Sequence, residues 1–156
     1  MTENLPTIIV PARLASVRYP RKLLEEVNGV PLILLTAKRL RDIAPEFDTF
    51  FAVDGDELES VLVNNGFQTV RTSPDLPSGT DRIFEANLKL QRSKVINVQA
   101  DEPLVSREHI TSLLNVINRN DKPSMATLAV PFADDESFPT RLCGFFPRRL
   151  QWMHPC

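Results

Sequence analysis

Apolar residues run without a break through Ile8, Ile9 and Val10, and Thr7 to Pro11 is predicted to form a strand buried on both faces. From Pro31 to Ile43 the pattern changes period. Apolar residues fall at 32, 33, 35, 37, 40 and 43, with Lys38, Arg39 and Arg41 between them, which predicts a helix with proline in its first turn and basic residues near its end. Thr49 to Val53 (TFFAV) predicts a second strand running into Asp54-Gly55-Asp56. A helix capped by Asp56 is expected through Asn65, with Gly66 as its stop. Further on, the pattern predicts a strand at Phe67 to Arg71, a loop from Thr72 to Ser78, a helix from Thr80 to Gln91, a strand from Lys94 to Gln99, a helix from Ser106 to Asn118 and a strand from Ser124 to Val130. Strands alternating with helices predict an α/β fold with a mostly parallel sheet.

Composition adds bounds. At 156 residues and 42% hydrophobic, the chain suits one globular domain. No apolar run approaches the length of a membrane span, and Met1-Thr2-Glu3-Asn4 does not open a signal peptide, so a cytoplasmic location and no membrane partner are expected. A net charge of −2 argues against a nucleic-acid partner. The distribution of charge is uneven: all 20 acidic residues and 15 of the 18 basic ones precede Ser137. Residues 137–156 hold three arginines, both cysteines and the lone Trp152, with no Asp, Glu, Lys, Val or Ile. Two segments are therefore expected, a domain at 1–136 and an atypical tail at 137–156, either frayed or read out of frame. Cys143 and Cys156 match no metal-binding spacing.

Candidate chemistry gathers after predicted strands. Arg13, Arg18, Arg21 and Lys22 place four positive charges in the loop after the first strand, where an open α/β sheet binds ligands. Such a loop suits a polyanion, with Arg gripping phosphate oxygens and Lys supplying a mobile charge, or it is simply a solvated basic loop. Asp101 and Glu102 follow the strand at 94–99 and could hold Mg²⁺ beside phosphates, or be solvated. Ser78, three residues before Asp81, is either a helix cap or a contact to a base or sugar. The five glycines never fall two apart, which excludes a G-x-G-x-x-G dinucleotide turn, and Lys22 follows Arg21 rather than the glycine of a P-loop. His109 lies in a predicted helix as a surface or interface residue, and neither it nor His154 has zinc-ligand spacing.

Together PARLASVRYPRKLL (11–24), TSPDLPSGTDR (72–82), NVQADEPL (97–104) and MATLAVP (125–131) resemble the 3-deoxy-manno-octulosonate (KDO) cytidylyltransferases, or CMP-KDO synthetases, from about Thr7 to Phe132. CMP-sialic acid synthetases share the first motif, but SGTDR and NVQ-x-DEP point to the KDO branch. The resemblance implies a Rossmann-like nucleotidyltransferase fold, here incomplete, and the coupling of CTP to the sugar acid KDO with release of pyrophosphate. It also implies Mg²⁺ as cofactor, a role in lipopolysaccharide precursor synthesis and, for the full-length member, a homodimer. Arg13 and Lys22 fall where that family binds the triphosphate. Ala12, Ser16, Ser78, Gly79 and Gln99 fall near the nucleotide and sugar, and Asp101 falls on a magnesium ligand. Three positions depart from the usual pattern: Arg21 and Ala100 replace glycines, and Leu76-Pro77 replaces His-Gln. Family members run to roughly 250 residues. The alternatives are a non-catalytic nucleotide-binding fragment and a synthetase for a related sugar acid such as sialic acid.

Overall fold

A computed structural model describes residues 5–15, 19–118 and 125–129. The chain divides into two units, Met1–Ala126 and Thr127–Cys156, and of the second only 127–129 are described. Strand β1 (Thr7–Ala12) is buried along its whole length. A 3-10 turn at Lys22–Leu24 leads to a two-stranded hairpin, β2 (Glu26–Val27) and β3 (Val30–Pro31). Then follow α1 (Leu32–Ile43), β4 (Thr49–Val53), α2 (Asp56–Val63), β5 (Gln68–Arg71), α3 (Gly79–Leu90), β6 (Val95–Asn97) and α4 (Arg107–Ile117).

The main sheet has the order β5-β4-β1-β6, and every pairing is parallel. From β1 to β4 to β5 the chain steps in one direction. From β5 it returns past β4 and β1 to reach β6. Crossovers between parallel strands are right-handed, so reversing direction moves the connecting helix to the opposite face. The core follows that rule. Ile8, Val10, Phe51 and Val53 pack with residues of α1, α2 and α4 (Ile33, Leu40, Leu58, Leu62, Ile110) on one side, whereas Ile9 and Ala52 meet Ala86 of α3 on the other. The strand order reverses between β1 and β6, which opens a crevice beyond their carboxyl ends.

Several element boundaries differ from the sequence-based expectation. Asp56 is the first helical residue of α2, not its cap; Gly55 holds the cap position, and the Asp56 carboxylate turns to Arg71. Helix α2 ends at Val63, with Gly66 at φ 78° in the turn that follows. Strand β6 is shorter than 94–99 because a turn, Glu102 N–H to the Gln99 carbonyl at 3.2 Å, already bends the backbone there. Residues 125–129 form no strand. The tail at 137–156 lies outside the described residues. The hairpin was not expected, although Asn28 (φ 53°) and Gly29 (φ 76°) make the turn with two positive φ angles for which Asn-Gly is the favoured pair.

Candidate active site

Every described candidate residue lies at the carboxyl edge of the sheet or in a loop leaving it. Ala12, fully buried, is the last residue of β1, so only its backbone can meet a ligand. Arg13 follows it and is exposed. The loop then closes on itself: the Leu14 amide donates to Asp54 Oδ2 at 3.1 Å, and the Arg21 amide donates to the Leu14 carbonyl at 3.0 Å. The 3-10 turn that follows buries Leu23 as an anchor. Next to that anchor Lys22 reaches across to the acidic loop, where its ammonium pairs with Asp101 Oδ2. Ser16 and Arg18 lie outside the described residues.

Among the described members of the basic cluster, Arg21 and Lys22 take separate partners. Arg21 is turned away toward α2, gripping both carboxylate oxygens of Glu57. That hydrogen bond holds the Glu57 carboxyl below the usual carboxylate value and raises Arg21 in turn. Arg21 sits at φ 61°, a left-handed conformation that glycine adopts at least cost. Ala100, the second departure, has no such conformation; it is buried, and its carbonyl accepts the Thr36 hydroxyl at 2.9 Å. Thr36 of α1 is itself fully buried, and Arg39, one turn on, donates to the Val105 carbonyl at 2.8 Å. Helix α1 thus pins both ends of the loop that carries Asp101.

The third loop, between β5 and α3, comes to the same crevice. A Cβ on Gly79 would sit 3.3 Å from Pro11 Cγ and 3.9 Å from Gln99 Oε1, so the start of α3, the end of β1 and the loop after β6 meet at this glycine. Ser78 is the N-cap: its hydroxyl accepts the Asp81 amide at 3.2 Å and lies 2.5 Å from Asp81 Oδ2. The cap reading holds for its side chain. Gln99 is exposed, with its amide donating to Asn97 Oδ1 at 2.9 Å. Asp54, Thr36, Thr72 and Arg82, which shape these loops, were not singled out from the sequence. Only Asp54, a carboxylate directly after a strand, carried a readable signal.

The arrangement offers a mobile cation, Lys22, against a half-exposed carboxylate, Asp101, across the crevice. Among the described residues no three His, Cys, Asp or Glu side chains gather to hold a metal. Asp101, with Glu102 next in sequence, does match the one or two carboxylates that Mg²⁺ takes when phosphates supply the remaining oxygens.

The chain is similar to several known proteins. The 3-deoxy-manno-octulosonate cytidylyltransferase of Cytophaga hutchinsonii is 36% identical over 140 residues, 88% of this chain and 55% of that protein. Its counterpart in Wolinella succinogenes is 41% identical over 109 residues, 68% of this chain and 43% of that protein. The chain spans about half the length of the curated relatives it matches. Among solved structures, a CMP:2-keto-3-deoxy-manno-octonic acid synthetase complexed with CTP aligns with a TM-score of 0.69 at 31% identity, over 77% of this chain and 49% of that one. A cytidylyltransferase from Leptospira borgpetersenii, 17% identical with a TM-score of 0.61 over 73% of this chain and 50% of that one, shows the shared fold. The cytidylyltransferase family model matches residues 7–141, and the chain belongs to that family.

Proposed function

We propose that this chain is the nucleotide-binding part of a cytidylyltransferase that couples CTP to the sugar acid KDO, giving CMP-KDO and pyrophosphate for a lipopolysaccharide precursor. The observation that carries the reading is the Lys22–Asp101 pair, which spans the crevice at the switch point of a parallel sheet. The names of the relatives and the CTP bound in the related synthetase support it. The reaction forms a bond from a sugar oxygen to the α-phosphorus and breaks the bond to the leaving pyrophosphate. Protein groups contribute alignment and charge neutralisation. Lys22, released from Asp101, and Arg13 would neutralise the triphosphate. The Ala12 backbone, Ser16, Ser78, Gly79 and Gln99 would line the nucleotide and sugar. Asp101 would hold Mg²⁺, which when bound neutralises phosphate charge and polarises oxygen. A cytoplasmic homodimer is the form proposed for the whole protein.

A second reading, nucleotide binding without turnover, is favoured by the donor set: among the described residues no three His, Cys, Asp or Glu side chains gather to hold a metal. One experiment separates the two. Purified chain is titrated with CTP, then assayed for pyrophosphate release with CTP, KDO and Mg²⁺. Release at ~1–10 s⁻¹, an ordinary enzyme rate, supports the synthetase. CTP binding with no release supports the second reading, and no CTP binding sinks both.

A further inference from the structure

Arg82 is the largest fully buried side chain of the described residues, 1% exposed, yet it carries a guanidinium. Burying such a charge costs several kcal/mol unless it is well partnered, and an apolar residue of similar size would fill the space more cheaply. Its bonds therefore matter. Nη1 donates to the Thr72 hydroxyl at 2.5 Å and to the Ser73 carbonyl at 3.1 Å. One turn along α3, both Glu85 oxygens accept the Ser73 amide, at 3.1 and 3.3 Å. Helix α3 thereby clamps the loop after β5 from two directions.

The chain of contacts continues. The Thr72 hydroxyl, having accepted from Arg82, donates to the Val53 carbonyl at 2.9 Å, at the end of β4. The next residue, Asp54, accepts the Leu14 amide in the loop after β1. Two buried atoms at the ends of this path lack partners: Arg82 Nη2 and Asp54 Oδ1. They belong to opposite charges that act on each other. Burial lowers the Arg82 pKa, the Asp54 carboxylate partly offsets that, and Arg13 lowers it further. Arg82 is thus linked to both loops of the crevice.

We propose that Arg82 is a positioning residue. Through Thr72 and Asp54 it fixes the loop after β1 that carries Arg13 and Lys22, and through Ser73 it fixes the approach to Ser78 and Gly79. It acts on the nucleotide through these loops. The proposal takes CTP as the ligand from the reading above, and the test is built to fail separately from that reading.

The variants are Arg82→Met, Arg82→Lys and Asp54→Asn. Each is measured by CTP titration, by thermal melting and by amide hydrogen exchange at Leu14 and Ser73. In Arg82→Met, exchange at both amides should accelerate, while exchange in the β1 and α1 core stays at the parent rate. CTP affinity should fall by roughly tenfold, the scale of one lost charge-assisted hydrogen bond. Arg82→Lys keeps one charged donor and should recover most of that affinity, which a residue that merely fills space would not show. Asp54→Asn keeps an oxygen for the Leu14 amide but removes the charge facing Arg82, and it should also weaken CTP binding. A folded Arg82→Met variant with parent-like CTP affinity and parent-like exchange at Leu14 overturns the proposal. If Arg82→Met does not fold, parent-like behaviour of Asp54→Asn overturns it. If the parent itself does not bind CTP, the functional reading fails, and exchange at Leu14 and Ser73 still decides whether Arg82 holds these loops.

Discussion

Arg21 shows how one residue can carry opposing terms. Its φ of 61° costs an L-residue about 1 kcal/mol or more, while its pair with Glu57 is exposed and returns little. Replacing Arg21 with Ala removes the pair and keeps the strain, whereas replacing it with Gly removes both. Arg21→Gly should therefore be more stable than Arg21→Ala by about 1 kcal/mol in denaturant unfolding. Equal stabilities would mean that the strain is absent in solution. Asp101 permits a second contrast. In the structure it holds Lys22, and CTP would compete for the same ammonium. Without Mg²⁺, Asp101→Asn should bind CTP more tightly, by about threefold, because a like charge leaves a partly exposed crevice. With Mg²⁺ the order should reverse. Mg²⁺ enhancement of CTP binding that is undiminished in Asp101→Asn would remove this carboxylate from the metal site.

At the scale of elements, two helices start alike. Ser78 caps α3, and Ser106 caps α4 in a reciprocal box in which His109 Nδ1 accepts the Ser106 amide at 3.3 Å. Truncating either serine to Ala should cost about 1 kcal/mol of stability. Only Ser78→Ala should also weaken CTP binding, since the first turn of α3 bears Gly79 against Pro11 and Gln99. If both variants bind CTP like the parent, the Ser78 hydroxyl is a cap and nothing more. The Ser78 cap and strands β1, β4 and β5 were legible because they depend on local patterns: a serine before an acid, an apolar run. The boundary of α2 was not, because it depends on a partner distant in sequence, Arg71 drawing Asp56; the Gln99–Glu102 turn that ends β6 is local, but the apolar run from 94 to 99 concealed it. The hairpin at Asn28-Gly29 was legible but masked by its two-residue strands.

Across the whole molecule, the sheet edge that gathers the site could be read from the order of strands and motifs. The separate partners of Arg21 and Lys22 could not. That Lys22 points to Asp101 while Arg21 points to Glu57 follows from where α2 and the loop after β6 lie, which no local pattern encodes. The same logic governs the ion pairs that join elements: Arg21 to Glu57 of α2, and Arg107 of α4 to Glu46 before β4. Hydrogen bonds from these arginines hold both carboxyls below their usual value of 4.5. A carboxyl whose folded pKa is depressed contributes stability above its unfolded pKa, and that contribution is lost as pH falls through the folded value. Stability from these pairs should therefore be level from neutral pH down to the usual carboxylate range and should decline below it. The double variant Glu46→Gln with Glu57→Gln isolates the effect. Its melting temperature should lie below the parent's at about pH 7 and meet the parent's in acid, below both folded pKa values. Because both pairs are exposed, added salt should also narrow the gap at neutral pH. A gap that persists unchanged in acid would show that the glutamates stabilise through packing and not through their charge.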